Sequence, residues 1–333
     1  MSGASVSGAD HAEGRRRAML RTAMGPAIAA ALGDPRVIEV MVNPDGALRV
    51  DVLGEGRVDT DVRLDPAQVE RIIRLVASHA RSEVHGDRPI VSAELPPHGQ
   101  GAGERFEGVL PPVSLAPCFS IRKPAARIFT LLDYVRDGIM SAEAARLLRL
   151  AVVERTNILV AGGTSSGKTT LANALLAEIA HRDERVILIE DTRELQCAAP
   201  DVVALRTRAG SVMMADLVRS TLRLRPDRII VGEVRGPEAL DMLKAWNTGH
   251  PGGIAAVHAN SAVSALYRIE QLVAEAVVTV PRRLIAEAID LIIFIAGRGT
   301  ARRIETIARV AGLDPDGGYA VLDITPSPEP TGE

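Results

Sequence analysis

Aromatic side chains make up 2% of this 333-residue chain, with a single tryptophan, and that scarcity argues against a groove that stacks single-stranded bases. Cysteine is almost missing too. Cys118 and Cys197 stand in no Cys-x-x-Cys pair and beside no histidine, which excludes a structural zinc and a disulfide framework. No apolar run approaches the roughly 20 residues that a membrane span needs; the longest late one, Leu291 to Ala296, is far shorter. The N-terminus carries arginines but no apolar core followed by a cleavage site, so no secretory signal is expected and the cytoplasm is the default. A net charge of -3 and a pI near 6.2 give no global reason to bind nucleic acid.

Lysine is the most informative scarcity. Three lysines (Lys123, Lys168, Lys244) stand against thirty-six arginines, a bias that reads as genome-wide codon usage, so clusters such as Arg15-Arg16-Arg17 are taken as solvated charge. Against that background Lys168 is hard to assign to chance. It closes the stretch Gly162-Gly163-Thr164-Ser165-Ser166-Gly167-Lys168-Thr169, which follows the buried-strand pattern Ile158 to Ala161 and precedes a helical pattern from Thr170 to Leu176. In that strand-loop-helix context, G-x-x-x-x-G-K-[ST] makes a loop whose backbone N–H groups cradle phosphates at a helix N-terminus. Lys168 is expected on the β- and γ-phosphates and the Thr169 hydroxyl on Mg2+.

The length and a 47% hydrophobic content suit two domains, each with its own core. Residues 1–24 read as a flexible arm and 25–123 as an α+β domain. Within it, a hairpin turns at Asn43-Pro44-Asp45-Gly46, a helix opens at Asp65-Pro66, and strands run near Arg105–Leu110 and Cys118–Arg122. Residues 124–138 read as a linker with an anchoring segment at Thr130–Tyr134. Helix and strand patterns alternate through 139–325, which predicts a mainly parallel sheet with helices on both faces. The Pro-rich residues 326–333 are expected to form a disordered tail.

Two further strands deliver acids at their C-terminal ends, where ligands of open α/β sheets bind. Arg228-Ile229-Ile230-Val231-Gly232 leads to Glu233, suited to ordering metal-bound water or orienting an attacking one. Ile187-Leu188-Ile189 leads to Glu190 and Asp191, candidates for the water or metal shell, with a helix N-cap as the competing role for Asp191. A third strand, Ile254 to Val257, ends in His258, which can donate to a phosphate or serve only as a structural hydrogen bonder; Gly252 and Gly253 before it permit close backbone approach.

In this order the segments resemble the traffic ATPases of type II and type IV secretion, type IV pili and conjugation: a P-loop, an Asp box (Ile189 to Leu195), a Walker B glutamate (Ile229 to Glu233) and a His box (Thr248 to Asn260). The phrases Ile121-Arg122-Lys123-Pro124, Pro226 to Gly236 and Leu243 to Gly253 look most like the conjugal-transfer, TrbB-type branch, and the likeness spans about residues 30–322. It implies an α/β fold with a C-terminal RecA-like P-loop NTPase domain and a smaller N-terminal α+β domain, assembled as a ring. It also implies a homo-oligomeric, hexameric ATP-hydrolysing motor at the cytoplasmic face of the inner membrane. Its partners would be inner-membrane components of the secretion machine, with no sequence-specific nucleic acid.

Carried onto this sequence, the resemblance implies that Gly162, Gly163, Thr164, Ser165, Ser166, Gly167, Lys168, Thr169 and Thr170 bind ATP, and that Thr169 binds Mg2+. The resemblance also implies that Glu233, Glu190 and His258 act in catalysis and that Arg105 and Arg122 of the N-terminal domain reach the phosphates. Two positions depart from the family pattern: Ser165 replaces a usual glycine and Ala256 a usual threonine. The Cys-x-x-Cys pairs of the type II secretion and pilus-extension branches are absent. A pilus-assembly ATPase of the tight-adherence type, a small-molecule kinase, a DNA translocase and a nucleotide-gated ring without turnover remain open as alternatives.

Overall fold

The computed structural model describes Gly14 and residues 18–97, 102–124, 128–208 and 210–326. The chain divides into two compact units, residues 1–126 and 127–333. Of the arm expected over 1–24, residues 1–13 and 15–17 lie outside the described residues, while 18–24 are helical and bury Leu20 and Met24 in the first unit's core. An arm with two apolar anchors one turn apart packs rather than floats. Residues 327–333 of the expected tail also lie outside the described residues.

The first unit is an antiparallel sheet in the order β3-β2-β1-β6-β5-β4, built from β1 (Val37–Val42), β2 (Ala47–Val52), β3 (Gly56–Arg63), β4 (Ile90–Glu94), β5 (Arg105–Val109) and β6 (Cys118–Arg122). Helices α1 (Pro26–Gly33) and α2 (Pro66–His79) supply Ile28, Leu32, Val69, Ile72, Ile73 and Val76 to its core. The β1–β2 turn closes through Gly46, whose φ of 76° suits glycine, and through the Asp45 carboxylate, which accepts from the Ala47 amide at 2.9 Å. Asp65 caps α2 by accepting from the Ala67 amide at 2.7 Å. Edge strand β3 alternates Arg57, Asp59, Asp61 and Arg63 with Val58, Thr60 and Val62, a strand pattern the sequence reading passed over; its residues are almost all exposed, so that alternation buries little.

The second unit is an eight-stranded sheet in the order β14-β13-β12-β7-β11-β10-β8-β9. Strands β7 (Ile158–Gly162), β8 (Arg185–Glu190), β9 (Asp201–Arg206), β10 (Arg228–Val231), β11 (Ile254–His258) and β12 (Leu291–Ala296) run parallel. Strands β13 (Arg303–Leu313) and β14 (Tyr319–Asp323) extend the β12 edge antiparallel. One face, with Leu159, Ile187, Ile229 and Val257, packs on α6 (Met214–Thr221), α7 (Glu238–Asn247), α8 (Ala262–Ala274) and α9 (Arg282–Ala288). The other, with Ile158, Val160, Leu188 and Ile230, packs on α3 (Leu131–Arg136), α4 (Ala142–Val153) and α5 (Lys168–Ala177). Cover on both faces is why β7, β8, β10, β11 and β12 read as nearly unbroken apolar runs.

Part of the segment expected to be a linker is core. Thr130 and Asp133 form a capping box on α3, with the Asp133 carboxylate accepting from the Thr130 amide at 2.9 Å, and Leu131 and Tyr134 are buried in the second unit. The glycine pair before β11 also has a different reason from the one its sequence suggests. A side chain at Gly253 would collide with the Trp246 indole and one at Gly252 with the Arg228 guanidinium, so the close approach is made by side chains beneath the sheet's N-terminal end. Asn157, unremarked in the sequence, ties that end together. Its Oδ1 accepts from the Gly252 and Gly253 amides at 2.9 Å each, and its Nδ2 donates to the Ala288 carbonyl at 2.9 Å.

Candidate functional site

Because the six strands β7 to β12 are parallel, their C-terminal ends share one edge, and the register decides what meets there. His258 is paired with Gly162, Val231 with Ala255 and with Ile189, and the Gly232 amide donates to the Ile189 carbonyl at 2.9 Å. The phosphate-loop start, Glu233 and His258 are thereby brought together.

Between β7 and α5 the loop exposes Gly163, Thr164 and Ser165 and buries Ser166 and Lys168. A Cβ at Gly162 would stand 2.5 Å from the Ile295 carbonyl and 2.5 Å from the Ser166 hydroxyl, so only glycine fits. Gly167 caps α5 at φ 98°, also a glycine conformation. Ser165 sits at φ 62°, the positive region in which a side chain costs about 1–2 kcal/mol, so the loop carries backbone strain at this residue. Ala256 is buried against the α5 side of the sheet, and its carbonyl accepts from the Val234 amide at 2.9 Å.

The Lys168 ammonium donates to the carbonyls of Gly162 and Gly163 at 3.1 Å each, lies 3.2 Å from His258 Nδ1 and stands 3.7 Å from Glu233 Oε1. An ammonium has only protons to offer, so Nδ1 accepts and the ring proton sits on Nε2, which lies 2.9 Å from Glu233 Oε1. Neutral imidazole agrees with the direction of its titration: burial lowers the His258 pKa, with Glu233 acting against it and Lys168 adding to it. The second Glu233 oxygen is held by Arg235, whose Nε donates at 2.6 Å. The carboxylate is fixed from three sides.

Thr169 Oγ1 donates to Glu194 Oε2 at 3.3 Å, placing a hydroxyl and a carboxylate beside the loop. Asn173 of α5 clamps the same segment, donating to the Glu194 carbonyl at 3.0 Å and accepting from the Gln196 amide at 2.9 Å. Glu190 is 4% exposed, and its Oε1 accepts from the amides of Glu194 and Leu195 at 2.8 and 2.7 Å. It therefore anchors the Asp-box loop from below. No helix begins at Asp191, so the N-cap alternative does not apply; its carboxylate accepts from the Thr207 hydroxyl at 2.9 Å. Among the described residues no group of three or more His, Cys, Asp or Glu side chains could hold a metal ion by itself, and no helix is long and apolar enough to cross a membrane.

Burial, partly countered by the two amide hydrogen bonds, lifts the Glu190 pKa to about 7. A carboxyl whose folded pKa exceeds its ordinary 4.5 stabilises the fold fully below that value and stops doing so as pH rises through 7. Glu190→Gln keeps the accepting oxygen and never ionises. Urea unfolding at pH 4.5 and pH 7.5 should show the wild type losing, relative to Glu190→Gln, roughly 3 kcal/mol over that interval; parallel pH profiles would remove this assignment.

Arg105 and Arg122 belong to the first unit. They are register partners at one end of β5 and β6, with Arg122 exposed.

Comparison with known proteins settles the family. The chain matches the Type II/IV secretion system protein family over residues 60–298. It belongs to that family. It is 48% identical over 295 residues to the conjugal transfer protein TrbB of Rhizobium radiobacter, covering 88% of this chain and 90% of that one. It is 34% identical over 315 residues to the type IV secretion system protein PtlH of Bordetella pertussis, covering 83% and 91%. Among solved structures, the pilus retraction motor PilT with bound ADP superposes with a TM-score of 0.60 at 20% identity, covering 91% of this chain and 83% of that one, which shows a shared fold. Within this secretion family the sequence had pointed to the P-loop, Glu233 and His258. It did not point to Arg235, Glu194 or Asn173, because each acts through a partner set by the fold; the only trace was that Arg235 and Glu194 fall inside the phrases that carried the resemblance.

Proposed function

We propose that this chain is the ATP-hydrolysing motor of a type IV secretion or conjugative-transfer apparatus, working as a homo-oligomeric, hexameric ring at the cytoplasmic face of the inner membrane. The observation that carries this reading is the meeting of Lys168, His258 and Glu233 around a glycine-built phosphate loop. Kinship with conjugal transfer and type IV secretion proteins supports the choice of apparatus.

The residues suit a polyphosphate. The backbone from Gly163 to Thr170 forms the cradle, and Lys168, now spent on two carbonyls, supplies the cation that a γ-phosphate would draw away. Thr169 Oγ1 and Glu194 Oε2 are the hard oxygen ligands beside it that suit Mg2+, an ion that keeps waters and takes its other ligands from phosphate. Bound Mg2+ neutralises charge developing on the phosphoryl oxygens. In the reaction, water oxygen bonds to the γ-phosphorus, the bond from that phosphorus to the β-bridging oxygen breaks, and ADP and phosphate result. Glu233 orients the water and receives its proton; Arg235 and His258 fix the carboxylate's direction. Glu190 acts as a positioning residue, through the loop that presents Glu194. Arg105 and Arg122 are register partners, each also opposite a glutamate on its other neighbouring strand, Glu94 and Glu39, and two guanidiniums at one strand end suit a multiply charged phosphate. Contact of that pair with the phosphates would make domain orientation depend on nucleotide state.

The test is steady-state phosphate release by the purified chain with ATP and Mg2+, with assembly followed by light scattering. Turnover accompanied by a ring-sized species is expected. A fully formed ring with no turnover would sink the motor reading in favour of a nucleotide-gated ring.

A further inference from the structure

Arg302 lies where no charge balance explains it. It follows the 3-10 turn Gly299–Ala301 in the connection from β12 to β13, and its guanidinium packs over Gly167, the residue that caps α5. A Cβ at Gly167 would stand 2.9 Å from Arg302 Nε and 3.0 Å from Cζ. The positive end of the α5 dipole and the Lys168 ammonium already occupy this corner, so a third positive group costs energy there unless an anion arrives. Arg302 Nε is buried and has no hydrogen-bond partner among the described residues. The Ser166 hydroxyl next to Gly167 is in the same condition, although Ser166 is only 3% exposed. So is the Tyr134 hydroxyl, close enough to Arg302 for the cation to oppose the upward push of burial on its phenol. Three of the five such atoms in the described structure thus gather at one side of one loop. Native proteins rarely leave buried donors unused, so a missing partner belongs here.

Topology says which partner. β7 lies between β11 and β12. His258 ends β11 and Glu233 follows β10, on one side of the loop, whereas Arg302 comes from β12–β13 on the other. A nucleotide whose terminal phosphate faces Glu233 therefore has its nucleoside end toward Arg302. We propose that Arg302 is a nucleotide-binding residue that holds the phosphate nearest the nucleoside, while Lys168 and Glu233 attend the far end. This rests on the nucleotide reading above and adds a second cation to the site within the same unit.

Calorimetric titration with ADP, GDP and a non-hydrolysable ATP analogue, each with Mg2+, tests it. Arg302→Gln is expected to raise Kd about tenfold or more, the worth of one charge-assisted hydrogen bond, by the same factor for all three ligands. Arg302→Lys should recover part of the loss. Unchanged Kd values in Arg302→Gln would overturn the proposal, and so would a lowered melting temperature with Kd intact, which would mean that Arg302 only fills space through a bridging water. Loss confined to the ATP analogue would move the contact to the terminal phosphate, and a different factor for ADP and GDP would move it to the base; either overturns it. A wild type that binds none of the three fails the nucleotide reading itself, and this proposal falls with it.

Discussion

Glu233→Gln is expected to lower kcat for ATP hydrolysis by about two to four orders of magnitude, the usual worth of a positioned general base. Affinity for ATP should change little. Glutamine has the same shape, still offers an oxygen to His258 Nε2, and removes charge only from a half-exposed Arg235 that water can solvate and from Lys168, whose ammonium the phosphates of bound ATP neutralise. What it loses is the capacity to receive a proton from water. Single-turnover and steady-state rates, read beside calorimetric binding, separate the outcomes. A variant that binds ATP, assembles as the wild type does and hardly turns over places Glu233 at the chemical step. One that keeps the wild-type rate removes it, and the search for a base would shift to Glu194 beside Thr169.

The second large effect lies at the opposite end of the sheet. Arg228, which opens β10, is fully buried; it ion-pairs with Glu184, and its Nη2 donates to the Val152 carbonyl at 2.8 Å. Arg155 and Arg182 also face Glu184, at 3.1 and 3.5 Å. Burial alone would raise the Glu184 pKa, yet the Arg228 and Arg155 contacts more than offset it and hold the carboxyl below its ordinary value. Its stabilising contribution is therefore present above the ordinary carboxyl range and lost as pH falls, opposite in sign to that of Glu190. Glu184→Gln strands the Arg228 cation in the core, and removing one partner of such a pair costs about 3–5 kcal/mol. Urea unfolding of the second unit at pH 7 measures this. Replacing both partners, Glu184→Leu with Arg228→Met, should recover most of the loss, and a double variant no better than Glu184→Gln would contradict that account.

The contrast between these two ends explains what could be read in advance. The grouping at the C-terminal edge of the sheet was legible because its residues are local in sequence. Gly162 to Thr169 is one contiguous loop, and Glu233 and His258 each end an apolar run whose direction is fixed by a parallel sheet. The capped helix of the first unit was legible for the same reason; Asp65 before Pro66 stands where expected. Whatever depends on distant partners was not. Arg228 looked like the first residue of a strand, and nothing nearby announces Glu184, 44 residues earlier, as its counter-ion. β9 is an edge strand with an irregular burial pattern, and β13, paired between β12 and β14, mixes charged with apolar residues, so neither shows the unbroken apolar run of the central strands. Glu190 was expected among the catalytic groups on the strength of its strand end and family box. Sequence cannot say that its carboxylate turns inward to hold a loop.

The one tryptophan has a spectroscopic consequence. Trp246 is 2% exposed, and its indole N–H donates to the carbonyl of Ile229 at 3.1 Å, in the strand that carries Glu233. All three tyrosines, Tyr134, Tyr267 and Tyr319, also lie in the second unit. The first unit therefore gives no tryptophan or tyrosine emission, and emission excited at long wavelength comes from one site behind the strand that leads to Glu233. Without any label, the change of that signal reports melting of the second unit alone, while far-ultraviolet circular dichroism records both units together.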